Sequence, residues 1–323
     1  MALGAQSLAF EMEMNMAHIP VLTDALLEVL DVRPDSAVVD CTFGGGGHAS
    51  AVAGLLGPSG RLLACDRDPV ARSYFDELKR SLSTPAAFYQ GDFADTLAEF
   101  VGAGEKVDRI YMDLGLSSMQ IDTEERGFSY SYDAPLDMRM DPRMALTAAD
   151  ILNGWDQDRL SWLFREFGEE RYASRIARNV VRRRAQAPYV RTSELVDTVK
   201  ASLPAPARFG ARNPARRVFQ ALRIAVNDEL DSLKRALPDA AALLKPGGVL
   251  AVISFHSLED RIVKEFFAAQ AHPCTCPPDF PVCVCGKQPS MEIVTTKPIT
   301  PDSHEIEANP RSSSAKLRAA RRI

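Results

Sequence analysis

The chain of 323 residues contains no run of 18 or more apolar residues. A membrane-spanning helix needs a run of about that length, so we expect no membrane partner. The first residues also lack the basic start of a secretory signal and carry acids within their apolar part. We therefore expect a cytoplasmic protein, with residues 1–15 as a disordered N-terminal extension.

The chain also lacks an excess of positive charge, since 38 lysines and arginines face 43 acids and the formal net charge is −5. Nucleic-acid-binding domains are commonly basic, so the overall balance argues against one. The basic residues are nevertheless unevenly spread. Residues 171–191 hold seven arginines and residues 309–323 hold five basic residues, and neither stretch contains an acid. Such polarity indicates a polyanionic partner.

Short β-type runs alternate with helical patterns over the first third of the chain. The runs are AVVDCTF (37–43), RLLACDRD (61–68), AAFYQGDF (86–93) and VDRIYMDLG (107–115). Strands separated by helices form βαβ units with right-handed crossovers, which produce a parallel sheet covered by helices. The sequence therefore predicts an α/β fold with a Rossmann-like sheet.

The alternation stops after residue 115, and helical patterns follow. From there to the end, the pattern predicts one long helix over 218–244, a strand over 246–255 and a last strand over 291–299.

Four segments follow from these patterns. After the extension, we expect a Rossmann-like domain made of 16–115 and 216–300, an inserted helical substrate-recognition subdomain over 116–215, and a basic C-terminal tail over 301–323 that is ordered only when bound.

The stretch DCTFGGGGHA (40–49) lies between a predicted strand and a predicted helix. Gly44, Gly46 and Ala49 fit the pattern G-x-G-x-x-[GA], and Asp66 follows Gly44 by 22 residues. An acid at that spacing bonds a ribose hydroxyl in nucleotide-binding sheets. The pattern indicates an adenosine-type ligand, and both NAD and S-adenosylmethionine fit it. The alternative is a tight turn without a ligand.

Two acids favour S-adenosylmethionine over NAD. Asp40, before the glycines, would repel a pyrophosphate but suits the cationic methionine end of S-adenosylmethionine. Asp92 and Phe93, after the third strand, could hold an adenine by hydrogen bonding and stacking. The plainer alternatives are Asp40 as a cap of the turn and Phe93 as a core residue.

Seven separated blocks resemble, in order, the RsmH (MraW) family of bacterial methyltransferases. The blocks are DCTFGGGGH, DLGLSSMQID, RGFSY, PLDMRMD, FQALRIAVNDEL, ISFHSLEDRIVK and NPRSSSAKLRAARR, so the resemblance covers about residues 18–322. It implies a class I S-adenosylmethionine-dependent methyltransferase fold. It further implies methylation of the exocyclic N4 of a decoding-centre cytidine in 16S rRNA, with the small ribosomal subunit as the partner.

The resemblance also implies a set of cofactor-binding residues. The glycines and the histidine would contact the methionine portion, the aspartate after the second strand the ribose, and the phenylalanine the adenine. The set is Gly46, Gly47, His48, Asp66, Phe93, Asp113 and Gln120. Without the resemblance, His48 would be interpreted as a helix-start residue.

Transfer to an exocyclic amine needs an acceptor that draws one N–H out of the ring plane and takes the proton. Asp113 is the first candidate, and Asp137, Asp141 and His256 are the others. The alternative for Asp113 is cofactor binding alone.

Two of the other candidate segments have structural alternatives. Asp137 and Asp141 could instead pair with the intervening Arg139. Ser257 and Asp260 have the spacing of a helix capping box, which would leave only His256 of that block facing the site.

Arginines recur at helical spacing in the inserted segment. The set Arg171, Arg175, Arg178 and Arg182 falls on one face of a helix, and Ala173, Ile176, Ala177 and Val180 fall on the other. We expect the arginine face to contact RNA phosphates, with Arg318 and Arg321 of the tail acting in the same way. A plain solvated face is the alternative.

Four of the six cysteines form two C-x-C pairs, which are Cys274, Cys276, Cys283 and Cys285. Paired cysteines in a cytoplasmic protein indicate metal or redox chemistry rather than disulfides. Paired zinc ligands usually have at least about two residues between them, so structural zinc is one interpretation and plain thiols are the other.

Two further functions remain open at this point. An NAD-dependent dehydrogenase would share the glycine loop and Asp66, and a non-enzymatic RNA-binding ribosome-assembly protein would share the arginines. The sequence leaves the oligomeric state open, a homodimer included.

Overall fold

The computed structural model describes residues 20–208, 213–276 and 284–323. The chain divides into two units. The first comprises the described residues up to Asp66, Val70–Leu114 and Ala236–Ile323, and the second comprises Arg67–Pro69 and Gly115–Arg235. The predicted extension at 1–15 lies outside the described residues. In the described ranges, no helix combines the length and apolar character needed to cross a membrane.

The first unit is built on a seven-stranded sheet with the order β3-β2-β1-β4-β5-β7-β6. The first five strands run parallel, and β7 is antiparallel to both β5 and β6. This arrangement confirms the predicted Rossmann-like α/β sheet. The strands are β1 Ala37–Asp40, β2 Arg61–Asp66, β3 Ala86–Gln90, β4 Val107–Asp113, β5 Leu244–Ser254, β6 Met291–Ile293 and β7 Lys316–Arg322.

Helices follow the strands of the sheet and fill the segment between β4 and β5. In chain order they are α1 Thr23–Leu30, α2 Gly47–Ala53, α3 Ala71–Ser81, α4 Phe93–Gly102, α5 Ser118–Asp122, α6 Ala148–Gly154, α7 Gln157–Glu166, α8 Ala173–Arg184, α9 Thr192–Ser202, α10 Ala205–Arg208, α11 Arg216–Asn227, α12 Glu229–Leu243, α13 Ser257–Ala271 and α14 Ser303–Ala308. All four residues of β1 are buried, as expected for a central parallel strand covered on both faces.

The predicted free C-terminal tail is wrong, because its last residues form β7 inside the sheet. Leu317, Ala319 and Ala320 are fully buried there, and the basic residues between and after them hid this apolar set in the sequence. The neighbouring prediction of a strand over 291–299 is too long. Both Val294 and Thr295 direct their N–H groups to the carbonyl oxygen of Ala319, which ends the regular ladder.

The second unit is helical and has its own core. Residues from α6 to α9 and from α11 pack into one apolar cluster that includes Leu160, Phe164, Val180 and Phe219. The expected boundary at residue 215 therefore falls too early, because the apolar face of α11 belongs to this cluster. The single helix predicted over 218–244 is two helices, since Asp228 adopts a left-handed conformation with φ of 52°.

Candidate active site

The glycine loop after β1 owes its composition first to the fold. Gly44 and Gly46 have φ of 55° and 82°, which residues with a side chain rarely adopt. A Cβ at Gly46 would lie 2.8 Å from the Phe43 ring, and one at Gly47 would lie 2.7 Å from the Pro20 ring. A Cβ at the exposed Gly45 would meet no described atom within 4 Å, so this side of the loop is open.

Asp66 ends β2 directly beside this loop. Its Oδ2 accepts a hydrogen bond of 2.7 Å from the Gly44 N–H. The predicted ribose acid and the glycine loop are therefore in contact at the carboxyl edge of the sheet, where open α/β sheets bind ligands.

Asp40 lies under the loop, and its carboxylate is used inside the sheet. The Tyr111 hydroxyl donates to its Oδ2 at 2.7 Å, and the Thr42 N–H donates to its Oδ1 at 2.9 Å. Burial raises the pKa of Asp40 to about 7, although these two hydrogen bonds oppose the shift. Asp40 therefore caps the turn, as the plainer interpretation had it, and does not present a surface charge.

Asp113 ends β4 next to His48, the second residue of α2. The Asp113 N–H donates to Thr42 Oγ1 at 2.6 Å, and Asp113 Oδ2 lies 3.4 Å from His48 Nε2 without the angles of a hydrogen bond. Asp113 Oδ1 and both His48 ring nitrogens are buried and have no hydrogen-bond partner among the described residues. Such atoms cost about 1–3 kcal/mol each when left unsatisfied, so they mark a place for a polar ligand.

Asp92 and Phe93 lie at the end of β3. Asp92 caps α4, because its Oδ1 accepts from the Ala94 N–H at 2.8 Å. Phe93 is the first residue of α4 and is partly exposed. Its stacking on an adenine stays a prediction.

His256 is the N-cap of α13, which corrects the predicted capping box. The capping box consists of His256 and Glu259, not of Ser257 and Asp260. Glu259 Oε2 accepts hydrogen bonds from the Phe255 N–H at 2.9 Å and from the His256 N–H at 3.2 Å. The structure thus explains His256 as a cap, and a catalytic role for it stays a prediction.

Asp260 has a different function and pairs with the two basic residues that begin β7. It accepts from Lys316 Nζ at 3.0 Å and from Arg318 Nε at 2.6 Å. Because the Arg318 side chain is mostly buried in this pair, it does not offer the free surface charge that phosphate binding would need. Arg321 of the same strand is exposed.

In the second unit, Gln120 belongs to a buried polar group. Its Nε2 donates to Asp68 Oδ2 at 2.9 Å, and Arg126 Nη2 donates to the same oxygen at 3.0 Å. The sequence reasoning missed Asp68 and Arg126. The only signal was the presence of Arg126 in the RGFSY block.

The two acids of the PLDMRMD block form ion pairs within the second unit. Asp137 pairs with Arg139 at 2.7 Å, as the structural alternative predicted, but Asp141 pairs with Arg143 at 2.7 Å instead of Arg139. Burial raises the pKa of Asp137, but the hydrogen bonds from Arg139 outweigh it and the net pKa is below its usual value. A carboxylate with a lowered pKa is a weak proton acceptor, which makes Asp137 a poor catalytic candidate.

The arginine face has the predicted arrangement. Its members are exposed, and Ala173, Ile176, Ala177 and Val180 on the opposite face of α8 are buried. Arg171 precedes the helix and lies against the Tyr172 ring. Arg175, Arg178 and Arg182 have no ion-pair partner in the part of the chain that the structure describes, whereas Arg183 pairs with Glu194 at 2.7 Å.

Three of the four cysteines in the C-x-C pairs come together. The sulfurs of Cys274, Cys276 and Cys285 lie within 4.8 Å of one another, and Cys283 lies outside the described residues.

Known proteins are similar in sequence to this chain over nearly its full length. The MraW methylase family model matches residues 15–323. The chain belongs to this family. The "Ribosomal RNA small subunit methyltransferase H" of Heliobacterium modesticaldum is 51% identical, with 95% of this chain and 98% of that protein covered. The protein of the same name from Symbiobacterium thermophilum is also 51% identical, over 95% and 96% of the two chains.

Solved structures are more distant. An rRNA methylase from Streptococcus thermophilus aligns over 93% of each chain with 12% identity and a TM-score of 0.41, which is too low to support an inference. Membership of the MraW methylase family favours the methyltransferase interpretation over a dehydrogenase or a non-enzymatic RNA-binding protein.

Proposed function

We propose that this chain is an S-adenosylmethionine-dependent methyltransferase that modifies the exocyclic N4 of a decoding-centre cytidine in 16S rRNA of the small ribosomal subunit. Family membership and the names of the relatives support the coarser part, which is methyl transfer to small-subunit rRNA. The observation that carries the chemistry is the contact between the partly exposed Asp113 and the buried His48, whose unsatisfied polar atoms lie at the carboxyl edge of the sheet.

The residues at this edge fit the methyl donor. Gly46, Gly47 and His48 would hold its methionine portion, Asp66 its ribose, and Phe93 its adenine. When bound, S-adenosylmethionine supplies a methyl group already activated on a sulfonium. The protein therefore has to bind and orient the two reactants and exclude water.

Asp113 would be the proton acceptor. The lone pair of an exocyclic cytosine amine is delocalised into the ring and is a poor nucleophile. The buried Asp113 Oδ1 would accept one N–H of the amine, draw it out of the ring plane, and take the proton after transfer. His48, 3.4 Å from the other carboxylate oxygen, would fix its orientation.

The helical unit would supply the contacts to rRNA. Arg175, Arg178 and Arg182 are exposed and directed away from the core of their unit, as phosphate contacts require. Such contacts position the nucleic acid without reading its sequence. The target base would be unpaired or flipped out to reach the site.

The test is methyl transfer from labelled S-adenosylmethionine to small ribosomal subunits that lack the modification, followed by digestion to nucleosides. We expect label in N4-methylcytidine with intact subunits and much less with deproteinised rRNA. Label at another position would contradict the proposed chemistry. No transfer by a chain that binds S-adenosylmethionine would contradict the proposed substrate.

A further inference from the structure

The segment between α13 and β6 contains four cysteines that the proposed methyl transfer does not use, and three of them lie among the described residues. It leaves α13 after Ala271 and returns to the sheet at Met291. Its two ends are joined, because the Ser290 N–H donates to the Gln270 carbonyl oxygen at 3.0 Å.

Hydrophobic burial does not explain the arrangement of the described residues of this segment. None of the described residues between Ala271 and Met291 is buried, and Val284 is 71% exposed. Residues that are ordered without burial need another source of stability, and metal coordination is one such source in short cysteine-rich segments.

The sulfur positions match a tetrahedral metal site. Cys274 Sγ and Cys285 Sγ are 3.8 Å apart, and the three sulfurs lie within 4.8 Å of one another. Two thiolates on one tetrahedral zinc ion, each with a Zn–S bond of about 2.3 Å, are separated by about 3.8 Å. A disulfide would bring two sulfurs to about 2.05 Å. Cys274 and Cys285 come from different C-x-C pairs, so the short spacing within a pair does not prevent them from sharing an ion.

The backbone supports the same geometry. The Val284 N–H donates to Cys276 Sγ at 3.4 Å, a bond that stabilises negative charge on a thiolate ligand. Gly286 follows Cys285 with φ of 66°, which lets the chain turn away directly after the cysteine.

We propose that Cys274, Cys276 and Cys285 bind a structural Zn²⁺ ion that holds residues 274–276 and 284–286 together. Soft thiolates select zinc among the divalent ions common in cells. The ion would fix the loop that leads into β6, the edge strand of the sheet.

The experiment measures metal in the full-length chain, purified with a reductant and without a chelator. Elemental mass spectrometry should find about one zinc ion per chain. Replacement by Co²⁺ should produce the sulfur-to-cobalt charge-transfer absorption of a tetrahedral thiolate site. A wild-type chain that takes up neither ion would overturn the proposal. So would a metal-free chain whose mass falls by two hydrogens in air, because that result assigns the thiols to a disulfide.

Variants locate the site. Cys274→Ser and Cys285→Ser should each lose the bound metal, whereas Cys65→Ala, which removes a buried thiol of β2, should retain it. Unchanged metal binding by both serine variants would contradict the assignment to this cluster.

A second measurement uses limited proteolysis. A chelator should accelerate cleavage between residues 272 and 290 in the wild type and have no further effect on Cys274→Ser. Equal cleavage rates of the wild type with and without the chelator would contradict the structural role.

Discussion

At the scale of single residues, Asp40 and Asp66 illustrate how two acids at one sheet edge have different functions. Asp40 is buried and bonded to Tyr111 and Thr42, whereas Asp66 is partly exposed beside the glycine loop. The sequence motif identified both acids as candidates, but the burial of Asp40 could not be predicted from the spacing of the motif. Tyr111 was missed, although its position two residues before Asp113 on β4 places both side chains on one face.

Asp40 makes the stability of the protein depend on pH. Its pKa is about 7 in the folded chain against an ordinary value of 3.8, so between these values the folded state binds more protons than the unfolded state. Its contribution is therefore fully present below pH 3.8 and is lost as the pH rises through about 7.

Asp40→Asn removes this titration and keeps an acceptor for Tyr111. The wild type should lose stability from pH 5 to 7 because unfolding allows Asp40 to ionise, whereas the variant should not. We therefore expect the free energy of unfolding of the variant minus that of wild type to increase by up to about 1.4 kcal/mol per pH unit over this range. Urea unfolding at several pH values measures it. Parallel pH profiles of the two proteins would show that Asp40 is already ionised in the fold.

Asp66 should determine affinity for the methyl donor. Asp66→Ala removes the acceptor of the Gly44 N–H and the proposed ribose contact, so we expect the dissociation constant for S-adenosylmethionine to rise about 10- to 100-fold. Calorimetric titration measures it. Asp35→Asn, a change at an exposed acid outside the site, is the control. Equal affinities of the Asp66 variant and wild type would rule out the ribose contact.

At the scale of elements, α8 and β7 are both rich in arginine and differ in what those arginines do. On α8, the exposed Arg175, Arg178 and Arg182 have no acid partner among the described residues. On β7, Arg318 forms an ion pair with Asp260. From their charges alone, both segments were expected to contact RNA phosphates. The difference lies in the apolar residues: α8 buries one helical face, and β7 buries Leu317, Ala319 and Ala320 within the sheet.

The arginine face of α8 should set the salt dependence of subunit binding. Changing Arg175, Arg178 and Arg182 together to Gln removes up to three phosphate contacts, so the slope of log affinity against log salt should fall by about 2–3. Binding to small subunits over a range of salt concentrations measures it.

A triple change on α3, with Arg72, Lys79 and Arg80 replaced by Gln, removes the same charge from another exposed helix face. It should alter the slope less. Equal effects of the two triple variants would indicate net charge alone, not a specific contact at α8.

At the scale of the whole molecule, the sequence predicted the Rossmann-like sheet, the helical interruption after β4 and the glycine loop beside Asp66. These depend on local periodicity and on spacing, which a sequence displays directly. It did not predict the incorporation of β7 into the sheet, the helix break at Asp228 or the unit boundary between Arg235 and Ala236, which lies within α12. Those depend on which apolar surfaces meet, and contacts between distant segments are not visible in a local pattern.

In the proposed mechanism, Asp113 acts on the substrate amine and not only on the methyl donor. The most direct measurement is single-turnover methyl transfer at saturating S-adenosylmethionine and small subunits, with wild type and Asp113→Asn compared. Asparagine keeps the size of the side chain and loses its basicity. We predict a rate constant lower by about 100-fold or more, with the affinity for S-adenosylmethionine changed only a few-fold. An unchanged rate constant under saturating conditions, whatever the affinity, would exclude Asp113 as the proton acceptor and leave it as a cofactor-binding residue.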